Sequence, residues 1–246
     1  MMGQNNSLRI ISTRPLREET KCLASDNGWQ LEDHPMVTGR SIADRDILLK
    51  VLETIDRQNR YGLHLVFSSI RAVKAVYDGC KVEGLQFPKD VKAIIVGEVT
   101  AAESEMLLGT RNIFVSYNSG GLLEMARGKL DNSTPILFVC GEQRLPAIPD
   151  GFVRMGFPFT ELAVYKTFHT PLYIEGDFNA VWFFSPSTVE SFFKVNSMPP
   201  GSVAICIGET TSAVLPHYTT APVILAERPH ELAMVAATQQ WFNETK

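Results

Sequence analysis

Several common signatures are missing from this 246-residue chain, and each absence narrows what it does. It has no GxGxxG and no GxxxxGK[ST], so the sequence offers neither a dinucleotide cradle nor a nucleoside-triphosphate loop. The four cysteines, Cys22, Cys80, Cys140 and Cys206, are scattered without a CxxC, and the five histidines, His34, His64, His169, His217 and His230, stand alone. No cluster has metal-ligand spacing, so the thiols read as reduced and the imidazoles as structural. No apolar run approaches the roughly 20 residues of a bilayer-spanning helix. The longest, Pro135–Cys140 and Val181–Phe184, are strand-sized. The opening Met1–Ser7 lacks a basic stretch followed by an apolar one, the pattern of a signal or transit peptide. A cytoplasmic protein without membrane contact is expected. Net charge is −4 and no basic stripe carries aromatics, which argues against nucleic acid. A small polyanion would have to be held by local donors, since the field of the whole protein does not favour it.

What is present is a chain 45% hydrophobic and 20% charged, long enough for one large domain or two ordinary ones. Short β-branched or aromatic runs alternate with longer amphipathic stretches, which predicts repeated βα units and a mainly parallel α/β fold. Leu8–Ser12, His64–Ser68, Ala93–Val96, Asn112–Val115, Ile136–Cys140, Val181–Phe184, Val203–Ile207 and Val223–Ala226 read as strands. Arg17–Asn27, Asp44–Arg57, Ile70–Tyr77, Ala101–Leu107, Gly121–Gly128, Thr188–Val195, Thr211–Leu215 and Pro229–Asn243 read as helices.

The middle of the chain also repeats in its last third. Val66-Phe67-Ser68-Ser69 with Val73 lies over Phe183-Phe184-Ser185 with Val189 when Ser69 is placed on Ser185, and Gly97-Glu98-Val99-Thr100 lies over Gly208-Glu209-Thr210-Thr211. Two similar domains follow. Gln30–Ser41 and Phe159–His169 lack helical periodicity and read as extended crossings. If both cross, residues 1–33 and 168–246 form one domain and 40–160 an inserted second, with 34–39 and 161–167 as linker strands.

Loops after parallel strands gather at one sheet edge, where ligands bind. Here those loops carry Arg14, Ser68, Ser69, Gly97, Thr100, Ser185, Ser187, Gly208, Thr210 and Thr211. Each precedes a helix, so free N–H groups and the positive dipole end face outward. Hydroxyls add donors without charge, and glycine admits close approach. The same residues also serve as ordinary N-caps worth about 1 kcal/mol, and the sequence alone leaves both roles open. Tyr165, inside the second crossing, reads as packing or as a proton donor between domains. Glu98 and Glu209 fit exposed first-turn carboxylates favoured by the helix dipole.

In order along the chain, Ser12-Thr13-Arg14-Pro15, Phe67-Ser68-Ser69 with Ala72-Val73, Val96-Gly97 with Thr100-Ala101, Val164-Tyr165, Phe184-Ser185-Pro186-Ser187 and Ile207-Gly208 with Thr210-Thr211 resemble the uroporphyrinogen-III synthase family. The resemblance runs from about Leu8 to the final helix. It implies two flavodoxin-like parallel-sheet domains on a two-stranded linker, bilobal with a central cleft. It implies a linear tetrapyrrole substrate with eight carboxylates, hydroxymethylbilane, closed with loss of water and inversion of ring D, and neither cofactor nor metal. Tyr165 matches the tyrosine proposed to assist departure of the hydroxyl. The chain departs from the family pattern at Phe67-Ser68-Ser69, where Phe-Thr-Ser is common, and at Cys140-Gly141, where Arg-Gly is common; Arg144 lies nearby. A monomer is expected, and transient contact with the preceding pathway enzyme is left open. Two other classes stand beside this one, a non-catalytic bilobal binder of a polyanion and a flavodoxin-like or Rossmann-type enzyme with a phosphate-bearing cofactor. The second lacks its glycine-rich loop.

Overall fold

A run such as His64-Leu65-Val66-Phe67, buried at every position, is stable only in a sheet covered on both faces, since alternate side chains point to opposite sides. The computed structural model describes residues 7–244; most of the opening segment read for a leader lies outside the described residues. In chain order the first half comprises β1 (Arg9–Ser12), α1 (Glu18–Asp26), β2 (Gln30–Asp33), β3 (Val37–Ser41), α2 (Arg45–Asn59), β4 (His64–Phe67), α3 (Ile70–Glu83), β5 (Lys92–Val96) and α4 (Glu98–Leu108). There follow β6 (Arg111–Ser116), α5 (Ser119–Lys129), β7 (Ile136–Gly141), α6 (Ala147–Arg154) and β8 (Phe159–His169). The last third holds β9 (Ala180–Phe183), α7 (Pro186–Phe192), β10 (Val203–Cys206), α8 (Glu209–Ser212), a 3-10 turn at Leu215–His217, β11 (Val223–Leu225) and α9 (Glu231–Glu244). Among the described residues no helix is long and apolar enough to cross a membrane.

The chain divides into two compact units, one up to Thr38 and from Phe168 onward, the other Gly39–Thr167. Both boundaries fall inside strands, β3 and β8. The first unit holds a five-stranded sheet in the order β11-β10-β9-β1-β2, all parallel. Counted along its own chain this is 2-1-3-4-5, the flavodoxin-like order. The second holds β3-β8-β7-β4-β5-β6, with β4 to β8 parallel in the order 3-2-1-4-5. The repeat explains why the counts differ. It lays β4 on β9 and β5 on β10, and the neighbours then match too, β8-β7-β4-β5-β6 over β2-β1-β9-β10-β11. The sheets are one spatial array entered by the chain at different strands.

Each sheet is packed on both faces. In the second unit Leu65, Phe67, Ala93, Ile95, Leu137 and Val139 enter one core. Their alternating neighbours Val66, Ile94, Ile136, Phe138 and Cys140 enter the other, which is the period of two expected of strands. The first unit divides likewise, Ile11, Val181, Phe183, Ala204 and Cys206 against Ile10, Ala180, Trp182, Val203 and Ile205. The buried Trp182 indole N–H donates to Thr238 Oγ1 at 3.0 Å, so its polar atom is satisfied.

Two local features differ from the sequence reading, and a third, Phe159–His169, keeps the extended form expected of it. Gln30–Asp33, inside a segment read as a bare crossing, pairs with β1 over four residues as an edge strand. Phe159–His169 is one 11-residue strand. Helix α6 is absent from the expected elements because Pro149 and Gly151 interrupt its pattern. Pro149 sits in the first turn, where no intrahelical N–H bond is lost, and Gly151 gives room to the Leu123 side chain of α5, which a Cβ there would displace.

Candidate functional site

Because all five strands of the first sheet and β4 to β8 of the second run parallel, the carboxyl ends of each set share one edge, and the loops that follow neighbouring strands lie side by side there. In the first unit this edge carries the loops after β1, β9 and β10, which are adjacent in the sheet. They hold Arg14, then Ser185 and Ser187, then Gly208, Thr210 and Thr211. In the second unit the loops after β4 and β5 hold Ser68 and Ser69, then Gly97 and Thr100; Tyr165 lies on β8, separated from β4 by the end of β7.

The turn hydroxyls do local work. Ser69 is the N-cap of α3 and accepts the Arg71 N–H at 3.2 Å, and Ser68 before it is half-buried. Ser185 closes a capping box with Thr188 on α7 and lies 3.0 Å from Ser187 Oγ, an arrangement that satisfies two orphan helix donors. Gly97 caps α4 with φ 89°, a left-handed conformation suited to glycine. Gly208 caps α8 in extended backbone, with nothing within 4 Å of a Cβ placed there. Thr100 and Thr211, matching residues of the two repeats, are both buried, whereas Thr210 is exposed. Glu98 and Glu209 open their helices and are exposed.

The first loop is tied down from below. Thr13 Oγ1 donates to the Trp182 carbonyl at 2.7 Å, and Ser12 Oγ to the Arg14 carbonyl at 2.6 Å. The Arg14 guanidinium lies 4.0 Å from the Phe184 ring centroid and pairs with Glu231 at 2.6 Å. Glu231, at the start of α9, also accepts the Thr20 hydroxyl at 2.8 Å and the Arg17 N–H at 3.2 Å. Burial pushes its carboxyl up, but those hydrogen bonds and the charges of Arg14 and Arg17 outweigh it, and the net shift is down. Glu231→Ala strips acceptors from a buried hydroxyl and a backbone N–H, so it is expected to destabilise the protein by about 2 kcal/mol. Glu231→Gln, which keeps an acceptor, is expected to cost less. Urea unfolding of both decides, and an alanine variant as stable as the parent contradicts this reading of the network.

The corresponding loop of the second unit follows β7. Arg144 forms a two-pronged pair with Glu161 at 2.8 to 3.1 Å, Lys166 pairs with Glu142 at 2.7 Å, and the Thr167 N–H donates to Gln143 Oε1 at 2.9 Å. Cys140, directly before it, is buried; that burial, with Glu161 nearby, pushes its thiol up to about 12, so it is inert as a nucleophile. Each unit's edge thus pairs its cations with carboxylates, Arg14 in the first and Arg144 and Lys166 in the second, and neutral donors prevail at both.

Two residues of this edge escaped the sequence reading. Tyr117, 76% exposed, follows β6 and precedes Asn118, the N-cap of α5 that accepts the Gly121 N–H at 2.8 Å. The strand-then-Asn-Ser-Gly-Gly pattern was the available signal. Arg71 is exposed in the first turn of α3, its side chain lying over Gly39. A cation there opposes the helix dipole.

Among the described residues no group of three His, Cys, Asp or Glu is placed to hold a metal. No curated protein matches the chain in sequence. In fold it is similar to uroporphyrinogen-III synthetase from Helicobacter pylori, with TM-score 0.68 and 15% identity over 95% of this chain and 99% of that one. It is likewise similar to a mutant uroporphyrinogen III synthase from Thermus thermophilus, with TM-score 0.64 and 18% identity over 97% and 100%. A sequence model of the family described as uroporphyrinogen-III synthase HemD matches residues 18–236, nearly the whole of both α/β units. Family match, doubly wound sheets and donor-rich strand ends agree, and the chain belongs to the uroporphyrinogen-III synthase family.

Proposed function

We propose that this protein closes hydroxymethylbilane to uroporphyrinogen III as a cyclising hydro-lyase, acting in the cytoplasm as a monomer. The observation that carries the reading beyond family membership is the recurrence of one pair of turns, serine-capped and Gly-Glu-x-Thr, at matching strand ends of both units. Loss of water and formation of one carbon–carbon bond leave the oxidation level unchanged, so the chemistry calls for no redox partner. The demand is geometric. Departure of the hydroxyl gives an azafulvene, the substituted carbon of ring D attacks it, and the spiro intermediate rearranges. Unaided closure gives the uninverted isomer, so the protein's task is to hold a flexible chain folded for the other outcome.

The residues suit that task in distinct ways. The N-terminal N–H groups of α3, α4, α7 and α8 supply neutral donors for carboxylates, with Ser68, Ser187 and Thr210 adding hydroxyls that the burial pattern leaves accessible. Thr100 and Thr211, being buried, shape the turns. Arg71 adds charge at one such terminus. Arg71→Ala is expected to raise KM several-fold with little change in kcat, because a contact to a peripheral carboxylate is the same in ground and transition states. Steady-state kinetics at two ionic strengths tests this; a lowered kcat at unchanged KM would place Arg71 elsewhere in the reaction.

The decisive experiment supplies freshly generated hydroxymethylbilane to the purified protein, then oxidises and separates the products. Predominant uroporphyrin III without added cofactor is expected. Isomer I alone, at the spontaneous rate, would overturn the assignment, and tight binding without turnover would leave a polyanion-binding protein.

A further inference from the structure

Tyr165 owes its place to two features of the neighbouring strand. The parallel register of β7 and β8 runs regularly from Ile136 opposite Phe159 to Cys140 opposite Ala163, then shifts so that Gly141 faces Tyr165. Val164 is the extra residue, a bulge of the kind that re-aims side chains at the end of a sheet. It is held there from both sides. The Val164 side chain is fully buried in the second unit's core, and its carbonyl accepts the Ile42 N–H at 3.0 Å. Immediately beyond, the Glu142 N–H donates to the Tyr165 carbonyl at 2.9 Å.

The shift puts the phenol on the same face as the missing side chain of residue 141. A Cβ built on Gly141 would lie 2.5 Å from Tyr165 Cζ, 2.8 Å from Cε2 and 2.9 Å from Oη. The ring therefore lies across the end of β7, over its last residue and directly before the loop that carries Glu142, Gln143 and Arg144. Gly141 is not among the positive-φ glycines, so its backbone would accept any residue. Glycine is needed here for the space that it leaves.

We propose that Gly141 is a positioning residue, the seat that sets where the Tyr165 hydroxyl lies. The proposal rests on the reading of Tyr165 as the donor to the departing hydroxyl. Carbon atoms in contact sit about 3.5–4.0 Å apart, so a methyl group at 141 drives the ring off by about 1 Å or more, a displacement that can cost on the order of a hundredfold in rate. Since Tyr165 is only half-buried, the ring has solvent to turn into, and the fold is expected to survive.

The test is a cycle of Gly141→Ala and Tyr165→Ala, singly and together, in the full chain, with Tyr165→Phe alongside. Gly141→Ala alone is expected to lower kcat as far as Tyr165→Phe does, about tenfold or more, with the thermal midpoint nearly unchanged. Once the ring is gone, adding Gly141→Ala should cost nothing beyond Tyr165→Ala. An equal loss in both backgrounds would show that Gly141 acts independently of Tyr165 and overturn the proposal. A second readout does not depend on turnover: the near-ultraviolet difference spectrum that isolates Tyr165, obtained against Tyr165→Phe with and without Gly141→Ala. A changed spectrum supports the seat, and an unchanged one overturns it. If the spectrum changes while Tyr165→Phe turns over at the parent rate, the seat stands and the donor reading alone falls.

Discussion

Replacing Tyr165 by phenylalanine is expected to lower kcat about tenfold to a hundredfold, with KM and the predominance of isomer III retained. That range lies at or below the low end for a positioned proton donor, and the substrate explains why. The hydroxyl leaves a carbon attached to an electron-rich pyrrole, whose nitrogen lone pair drives the departure and becomes the azafulvene, so the phenol assists a bond already inclined to break. The choice between isomers is made by how the chain is held, and the ring of phenylalanine preserves the packing of Tyr165 against the β4–β7 core. Rate and isomer ratio should therefore separate in this variant. Turnover at the parent rate would remove Tyr165 from the chemistry, and a shift toward isomer I would make it a substrate-holding residue instead.

The fold was legible where turn chemistry and strand pattern coincide. Buried runs such as Ala93–Val96 and Val203–Ile207 locate strands β5 and β10, and the serine-capped and Gly-Glu-x-Thr turns expose the repeat. What the repeat did not reveal is that β7 of one unit occupies the sheet position of β1 in the other. Strand neighbours in a parallel sheet are set by crossovers between residues distant in sequence, and Gly141-Glu142-Gln143-Arg144 bears little likeness to Ser12-Thr13-Arg14-Pro15. The edge strand β2 was hidden for another reason. Its Gln30-Leu31-Glu32-Asp33 has the composition of a loop, and only pairing with β1 and the Arg9–Glu32 ion pair, at 2.8 Å, makes it a strand.

The candidate site was legible as positions more than as roles. Thr210 and Thr211 are the same residue type in one turn, but the third helical position, Thr211 and its counterpart Thr100, faces inward in both units. The partner of Arg14 lies outside any window of the sequence, because Glu231 stands 217 residues away. Tyr165 could be singled out from its place in the chain, but the bulge at Val164 and the vacant face of Gly141 have no local signature. Both are properties of the pairing of β7 with β8, which no window of the sequence contains.

Acid should destabilise this protein well before its carboxylates titrate, and His64 is the cause. It opens β4, at the end of the strand opposite Ser68, and is 6% exposed with Nδ1 buried and unpartnered. Burial, reinforced by the positive charges of Lys92 and Arg111 and only partly offset by a hydrogen bond with the Gly62 backbone, brings its pKa down to about 4. An unfolded histidine titrates near 6.5, so between pH 6.5 and 4 the unfolded chain binds a proton that the folded chain refuses. Stability is full above that window and falls as pH drops through it, by about 3 kcal/mol in all. Glu32 behaves differently. The Arg9 hydrogen bond, opposed by burial and helped by His34, holds its pKa at about 2, so its contribution is lost only between about pH 4.5 and 2. Urea unfolding at pH 7, 5.5 and 4.5 should show a steep decline for the parent and a nearly flat line for His64→Leu, whatever offset the leucine itself introduces. Parallel declines in the two proteins would mean that His64 is hydrated or paired in solution and that other groups carry the acid sensitivity.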